Sequence, residues 1–375
     1  MVTVRGDLVL PDGVAAGWVR VVGDRIDAVG TGAPPEDAEP VDTDLVETDG
    51  LVLPGLVDVH CHGAVGFAFG DGVQQARAAA AHHHGSGTTT LLASLVSESR
   101  DVLADQVRTL SSLVRDGELD GVHLEGPYLA ARCRGAHRAE ALRDPDLAEV
   151  TALLDIAGGV ITAVTVAPEL PGADGLIAVL TARGVRAAVG HTAASSSTTR
   201  AAIDAGARIA THLFNAMTPL HHRDGGPVVA LLDDERVVCE LIADGHHLDA
   251  DVVRWVWKVL GPSRRMLVSD SSPATGIAAG TVYLGGQELR VGDGAVRTVE
   301  GGVLAGSAST LMDVVRWAVS AGIPLPEAVA AASSVPATAL GLADRGALRA
   351  GHRADLVLAD RDLRVRRVLL AGRWV

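Results

Sequence analysis

The segment Asp58-Val59-His60-Cys61-His62-Gly63 places two imidazoles at alternate positions. In an extended strand, alternate side chains share a face at about 6 to 7 Å between Cα atoms. His60 and His62 can therefore converge on one cation while Val59 and Cys61 point away. Two imidazoles make half a metal site; alone, they read equally well as hydrogen-bonded histidines at a strand end. Further acids and imidazoles close other apolar runs: Val122-His123-Leu124-Glu125, Gly190-His191, Thr211-His212, Asp244-Gly245-His246-His247 and Ser269-Asp270. Any one of these is more often a structural residue than a ligand. Their recurrence beside the histidine pair points to one metal-binding constellation.

Something must bring these distant ends together. Strand-like runs occur at 56–60, 88–95, 121–124, 160–166, 186–189, 208–212, 237–242 and 265–268, with helical patterns between most of them. The helix after the sixth run is poorly marked. Eight strands in βα alternation predict an α/β fold, a distorted (β/α)8 TIM-like barrel over residues 51–344, although an open doubly wound sheet would read similarly. In a barrel, the carboxyl ends of all strands meet on one face. Residues 277–303 are glycine-rich with short alternations and predict a β insertion. Residues 1–50 and 345–375 read as short strands with turns, so a small β-sandwich domain is expected from both termini.

Composition narrows the function. Forty-six acidic against 32 basic residues give a formal charge of −14, which argues against nucleic acid or an anionic membrane as partner. No apolar stretch is long enough for a membrane span, and no secretory signal pattern opens the chain. Three widely spaced cysteines, Cys61, Cys133 and Cys239, make no disulfide framework and fit a reducing cytoplasm. His82-His83-His84-Gly85 reads as a helix C-terminus, the histidines suiting the dipole and Gly85 the terminal turn. His123 either fills the barrel interior or supports the ligands. Lys258, the one lysine in the chain, falls in an amphipathic pattern expected on an outer helix.

The strand-one His-x-His, the single histidines ending strands five and six, and the aspartate ending strand eight resemble the amidohydrolase superfamily of metal-dependent barrel hydrolases. Within it, the ordered set His123-Leu124-Glu125-Gly126-Pro127-Tyr128, Gly135-Ala136-His137, Ala167-Pro168-Glu169, Gly190-His191-Thr192, Thr211 to Met217, Asp244-Gly245-His246-His247 and Leu304-Ala305-Gly306-Ser307 resembles the N-acetylglucosamine-6-phosphate deacetylase family. The glycine motifs are individually weak, and the order is specific. Many superfamily members bridge two metals with a carboxylated lysine. Lys258 is misplaced for that, and the resemblance gives the role to Glu125.

The resemblance implies one divalent ion on Glu125, His191 and His212 and a second on His60, His62, Glu125 and Asp270. Zinc is the default, with iron and cobalt compatible and one or two ions per subunit. Asp270 is then the general base and acid, the alternative being a turn aspartate before Ser271-Ser272-Pro273. Substrate contacts carry over to Ala136, His137, Asn215, Ala216, Arg223, His247, Leu304, Ala305 and Gly306, with Arg223 on the phosphate, where it would otherwise read as an exposed arginine paired with Asp224. The family arginine can cross a subunit boundary, so a homodimer is expected. Cys133 is expected as a passive loop thiol near the pocket. The implied reaction is deacetylation of N-acetyl-D-glucosamine 6-phosphate. The alternatives are a different amide hydrolase of the superfamily or a non-catalytic scaffold.

Overall fold

Continuous apolar runs such as 88–95 leave no polar face for solvent, so their strands must be covered on both sides. In the computed structural model, which describes residues 1–33 and 44–375, this is how they sit. All eight residues of Thr88–Leu95 are buried. The barrel strands are β1 (Leu56–Asp58), β2 (Thr88–Leu95), β3 (Gly121–Glu125), β4 (Ile161–Val166), β5 (Arg186–Val189), β6 (Ile209–Ala210), β7 (Val238–Leu241) and β8 (Arg265–Leu267). They pair in sequence order, all parallel. Closure between the first and last strands comes just above them: Asp270 N–H donates to the His60 carbonyl at 2.9 Å and His62 N–H to the Ser271 carbonyl at 2.7 Å.

The helices between strands are set by local signals. Asp146 caps Leu147–Ala157 by accepting from Ala148 N–H and Glu149 N–H, and Gly158 ends it at φ 60°. Ala250–Val259 buries Val253, Val256 and Trp257; Lys258 is on its exposed face, as the amphipathic pattern predicts. The weakly marked helix after β6 does form, as Gly226–Asp233. Its periodicity was invisible because Gly226, Pro227, Val228, Ala230, Leu231 and Leu232 are all buried, leaving little polar face. The expected turn at Gly85 is corrected. The helix Val73–Gly85 includes that residue, Ser86 caps it, and Gly87 takes the positive φ of 101°.

The termini build a separate seven-stranded sheet. Its strands are Val2–Leu10, Gly13–Val22, Arg25–Thr31 and Asp44–Pro54 from the N-terminal side and Leu356–Ala359, Val365–Leu370 and Arg373–Trp374 from the other. The sheet folds over so that Ile26 N–H reaches the His352 carbonyl at 2.9 Å, enclosing Val4, Leu8, Val19, Ile26, Val52, Leu356 and Leu369 in a core of its own. Its fourth strand runs past residue 50 to Pro54 and delivers the chain directly to β1. The 277–303 region forms most of a four-stranded antiparallel sheet, Gly280–Leu284, Gln287–Gly292, Ala295–Thr298 and Leu304–Ser307. It lies over the carboxyl rim of the barrel.

Candidate metal centre and substrate cavity

The carboxyl rim collects the predicted ligands. Glu125 ends β3, and its Oε1 lies 3.0 Å from His191 Nε2, 2.9 Å from His212 Nε2 and 3.5 Å from His60 Nε2. Its Oε2 lies 3.2 Å from His62 Nε2. Asp270 Oδ1 is 3.5 Å from His60 Nε2 and 3.3 Å from His62 Nε2. These atoms form two groups of donors close enough to share an ion, His60/His62/Asp270 and Glu125/His191/His212, and Glu125 faces both. All six residues are buried.

Apart from β3, which ends on Glu125, the strands stop short of these residues. β1 ends at Asp58, and only a single bridge, Cys61 with Ser271, continues the ladder past His60. β6 is two residues long, and His212 leaves it at φ 27°; His191 turns at φ 47° and Asp270 at φ 44°. Left-handed backbone at a non-glycine residue costs on the order of 1 to 3 kcal/mol, and here it aims three functional side chains inward. Gly190 permits the turn before His191, since a Cβ there would meet Thr211 Cβ at 2.7 Å. Gly306, at φ 65°, sits where a Cβ would lie 2.8 Å from the Asp270 carbonyl oxygen, and Ser307 N–H donates to that same oxygen at 2.7 Å.

Tautomers test whether a cation fits. His191 Nδ1 lies 2.8 Å from the Cys133 carbonyl, which can only accept, so Nδ1 carries the proton and Nε2 presents a lone pair. His60 Nδ1–H likewise donates to Glu240 Oε2 at 2.9 Å. Both free lone pairs then face carboxylate oxygens and other imidazole nitrogens, including His62 Nε2 at 3.1 Å from His60 and His212 Nε2 at 3.0 Å from His191. Lone pairs at such separations repel unless a proton or a cation lies among them. The donor set therefore fits a divalent metal, of the kind imidazole and carboxylate ligands hold.

The carboxylates and imidazoles of the rim also shift one another. Burial by itself would raise the Asp270 carboxyl, but the imidazoles of His60 and His62 outweigh it and hold its pKa at about 2. Burial would lower His62, but its hydrogen bonds to Asp270 and Glu125 raise it to about 9. Burial wins at His191, depressing it to about 4 against the pull of Glu125.

Above the ligands lies a cavity of about 390 Å³. Ala136, His137, Asn215, Ala216, His247, Leu304, Ala305 and Gly306 line it together with His62, Glu125, His191, His212 and Asp270. Ser97 N–H donates to His137 Nδ1 at 3.3 Å, so His137 Nε2 carries hydrogen, directed at Glu125 Oε2 3.1 Å away. His247 is fixed by Asp244, whose Oδ2 accepts from its Nδ1 at 2.8 Å, whereas His246 is exposed and turned to a neighbouring cleft. Arg223 is not brought in. It is exposed in the loop before the sixth helix, donates to His222 Nε2 at 2.6 Å, and does not line this chain's cavity. Cys133 contributes through its carbonyl, its thiol being half-buried.

Sequence reasoning missed several residues. Glu240 is buried on β7, and its Oε2 takes both His60 Nδ1–H and His212 N–H, the latter at 3.0 Å. The signal was there: a lone acid inside the apolar run Val237-Val238-Cys239-Glu240-Leu241-Ile242. Glu169, named in its motif but given no role, receives Thr192 Oγ1–H and Ala193 N–H, fixing the turn beyond His191. His123 lies in the barrel interior between Ser94 Oγ at 3.0 Å and Thr165 Oγ1 at 2.9 Å, and its ring also packs against that of His60 at 4.6 Å, so the two expectations for it are compatible. Buried His83 has Nε2 3.1 Å from the Gly63 carbonyl, 3.2 Å from Cys61 Sγ and 3.2 Å from Ser271 Oγ, behind the His60/His62 pair. Arg138, Gln287 and Arg297 also line the cavity.

A parallel eight-stranded barrel with two such groups at its carboxyl rim defines a metal-dependent barrel hydrolase. The chain belongs to the amidohydrolase family, whose profile matches residues 51–375. It is 34% identical over 329 residues to an N-acetylgalactosamine-6-phosphate deacetylase of Escherichia coli O157:H7, covering 86% of this chain and 87% of the relative. It is 36% identical over 344 residues to the N-acetylglucosamine-6-phosphate deacetylase of Bos taurus, covering 87% and 83%. A Mycobacterium smegmatis N-acetyl-D-glucosamine-6-phosphate deacetylase, solved as an aspartate-to-alanine variant with N-acetyl-D-glucosamine 6-phosphate, superposes with a TM-score of 0.95 at 42% identity, covering 100% of this chain and 98% of that one.

Proposed function

We propose that this chain hydrolyses the acetamide of N-acetyl-D-glucosamine 6-phosphate, giving D-glucosamine 6-phosphate and acetate. The observation that carries the reading is Glu125, which faces both imidazole pairs at the floor of the cavity. The relatives, two of them deacetylases of that sugar phosphate, support the substrate. In this reading Glu125, His191 and His212 hold one divalent ion, and His60, His62 and Asp270 hold a second against the other side of Glu125. Zinc is the ion we assign. Bound there, it supplies a Lewis acid for the amide carbonyl and brings the ionisation of water toward neutral pH.

The remaining work falls to the chain's own groups. Asp270, kept ionised by its imidazole neighbours, accepts the proton of the attacking water and returns it to the amine nitrogen as the C–N bond breaks. His137 Nε2–H, directed at Glu125 Oε2 in the substrate-free chain, turns to the carbonyl oxygen, where negative charge grows. Asn215, His247 and the backbone at Ala216 orient the sugar phosphate, while Leu304 to Gly306 close the wall beside Asp270. Arg223 serves the phosphate of a second subunit, its exposed loop lying outside its own cavity, so the reading includes a homodimer working in the cytoplasm.

A second sugar is favoured by one finding, the galactosamine specificity in the name of the Escherichia coli relative. Acetate release should be followed with metal-saturated protein on N-acetylglucosamine 6-phosphate, its 4-epimer and both unphosphorylated sugars. The expected result is the highest kcat/KM on the glucosamine compound. A higher value on the epimer moves the assignment to galactosamine, and no acetate from either phosphate removes the deacetylase reading.

A further inference from the structure

The inserted sheet over the barrel mouth carries two arginines in an arrangement that its own stability does not favour. Arg290 and Arg297 stand directly opposite each other on the antiparallel strands Gln287–Gly292 and Ala295–Thr298. Like charges in that register repel and destabilise a sheet. Among the described residues, no carboxylate oxygen lies within 4.0 Å of either guanidinium. Arg297 makes one hydrogen bond, Nη1–H to the Gly302 carbonyl at 3.1 Å, which leaves most of its donors free.

Position gives this pair meaning. Arg297 lines the substrate cavity, and it also lines an adjoining cleft of about 480 Å³ together with Arg290 and His246. The other cations of the substrate cavity are engaged. Arg138 holds Glu98 at 2.9 Å, His247 holds Asp244, and the remaining imidazoles face Glu125 or Asp270. Arg297 is thus the one guanidinium facing the cavity, among the described residues, with no acid to neutralise it. In a protein of charge −14, a dianion entering the site needs a local positive field. In the homodimer proposed above, Arg223 of a second subunit supplies one such charge from outside, and Arg297 is placed to add another from within the same chain.

We propose that Arg297 binds the phosphate monoester of the substrate from within the same subunit, with Arg290 across the strand strengthening the positive field at that end of the cavity. This rests on the sugar-phosphate reading above. A planar fork with free donors suits two phosphate oxygens at once, and the bound dianion would relieve the repulsion between the two arginines. The insertion then selects the phosphorylated sugar, while the barrel rim performs the hydrolysis.

The test compares metal-saturated wild type, Arg297→Ala and Arg297→Lys on N-acetylglucosamine 6-phosphate and on free N-acetylglucosamine, with inorganic phosphate as inhibitor. In Arg297→Ala the ratio of the free-sugar KM to the sugar-phosphate KM should fall about tenfold, and the inhibition constant for phosphate should rise by a similar factor. Arg297→Lys should recover part of both. Arg183→Ala, an exposed site just past the end of the helix Ala173–Ala182, is the control for surface charge. An unchanged KM ratio and phosphate inhibition in Arg297→Ala overturn the proposal. Should wild type release no acetate, the functional reading falls, and calorimetric titration with inorganic phosphate still decides Arg297: equal affinity in wild type and Arg297→Ala refutes its role, and weaker affinity in the variant upholds it.

Discussion

The floor and the roof of the cavity are built in opposite ways. On the floor every candidate ligand is buried, and His60, His191, Glu125 and Asp270 are each held by at least one named partner. On the roof Arg290, Arg297, Gly285 and Gln287 sit on a small sheet, exposed or half-buried. The floor resists displacement because moving one imidazole breaks a buried hydrogen bond, at about 1 to 3 kcal/mol for each group left unsatisfied. The roof is held instead by a small apolar cluster that includes Val282, Leu289, Val291 and Val296. In the proposed reading, chemistry falls to the floor and selection among substrates to the roof. Substitutions in the floor should therefore lower kcat or metal content, and those in the roof should raise KM.

The largest effect belongs to Asp270. Asp270→Asn keeps the shape but loses the proposed base, and kcat for acetate release should fall by about 10² to 10⁴-fold at equal metal content. A value near wild type would move proton transfer elsewhere on the floor.

Next in size is a dependence on pH that involves no ligand. His83 Nε2 donates to the Gly63 carbonyl, and its Nδ1 has no partner among the described residues. A second proton would leave a charge buried without an acceptor, so burial depresses its pKa to about 4. The unfolded chain binds that proton near pH 6.5. Stability from this group is therefore complete above pH 6.5 and is lost as pH falls toward 4, by at most about 3 kcal/mol. Urea unfolding of wild type should show part of this loss by pH 5. In His83→Gln the loss between pH 6.5 and 5 should shrink by about 2 kcal/mol; an identical slope would mean that His83 is not held neutral.

Glu240 tests whether the two halves of the floor depend on one support. Its single oxygen Oε2 takes the His60 ring and the His212 backbone, one from each metal group. Glu240→Gln should weaken metal affinity by about 10- to 100-fold, with both ions affected in a competitive chelator titration. Loss confined to one ion would show that the groups are supported separately.

How much of this could be read beforehand divides along the same line. The floor residues were legible because they end apolar strands, and a parallel barrel brings such ends to one rim whatever their sequence separation. Glu240 and His83 were not, since neither ends a run: one is an acid inside a strand, the other one of three histidines on a helix. Their roles come from packing across the barrel, which periodicity does not encode. The sixth helix was faint for the reverse reason, being too deeply buried to be amphipathic. Arg223 was singled out by resemblance and lies outside the cavity, while Arg297, on an alternating strand, carried no motif. Roof residues act through where the insertion docks, and nothing local in the sequence states that.

The smallest effect lies at the docking point itself. Gly285 and Gly286 form the two-residue connection between Gly280–Leu284 and Gln287–Gly292, with φ of 54° and 76°, the left-handed pair that suits a tight hairpin. A Cβ on Gly285 would lie 2.6 Å from Val96 Cγ2 on the rim, and one on Gly286 would lie 3.3 Å from Arg138 Cζ. Gly285→Ala therefore strains the turn by about 1 kcal/mol and pushes the tip off Val96. The ligands lie on other segments, so metal content should hold and kcat should stay within about twofold, while KM rises roughly fivefold, the factor that 1 kcal/mol gives. A fall in kcat or metal content instead would mean that roof and floor move together, and the division of labour drawn between them would fail.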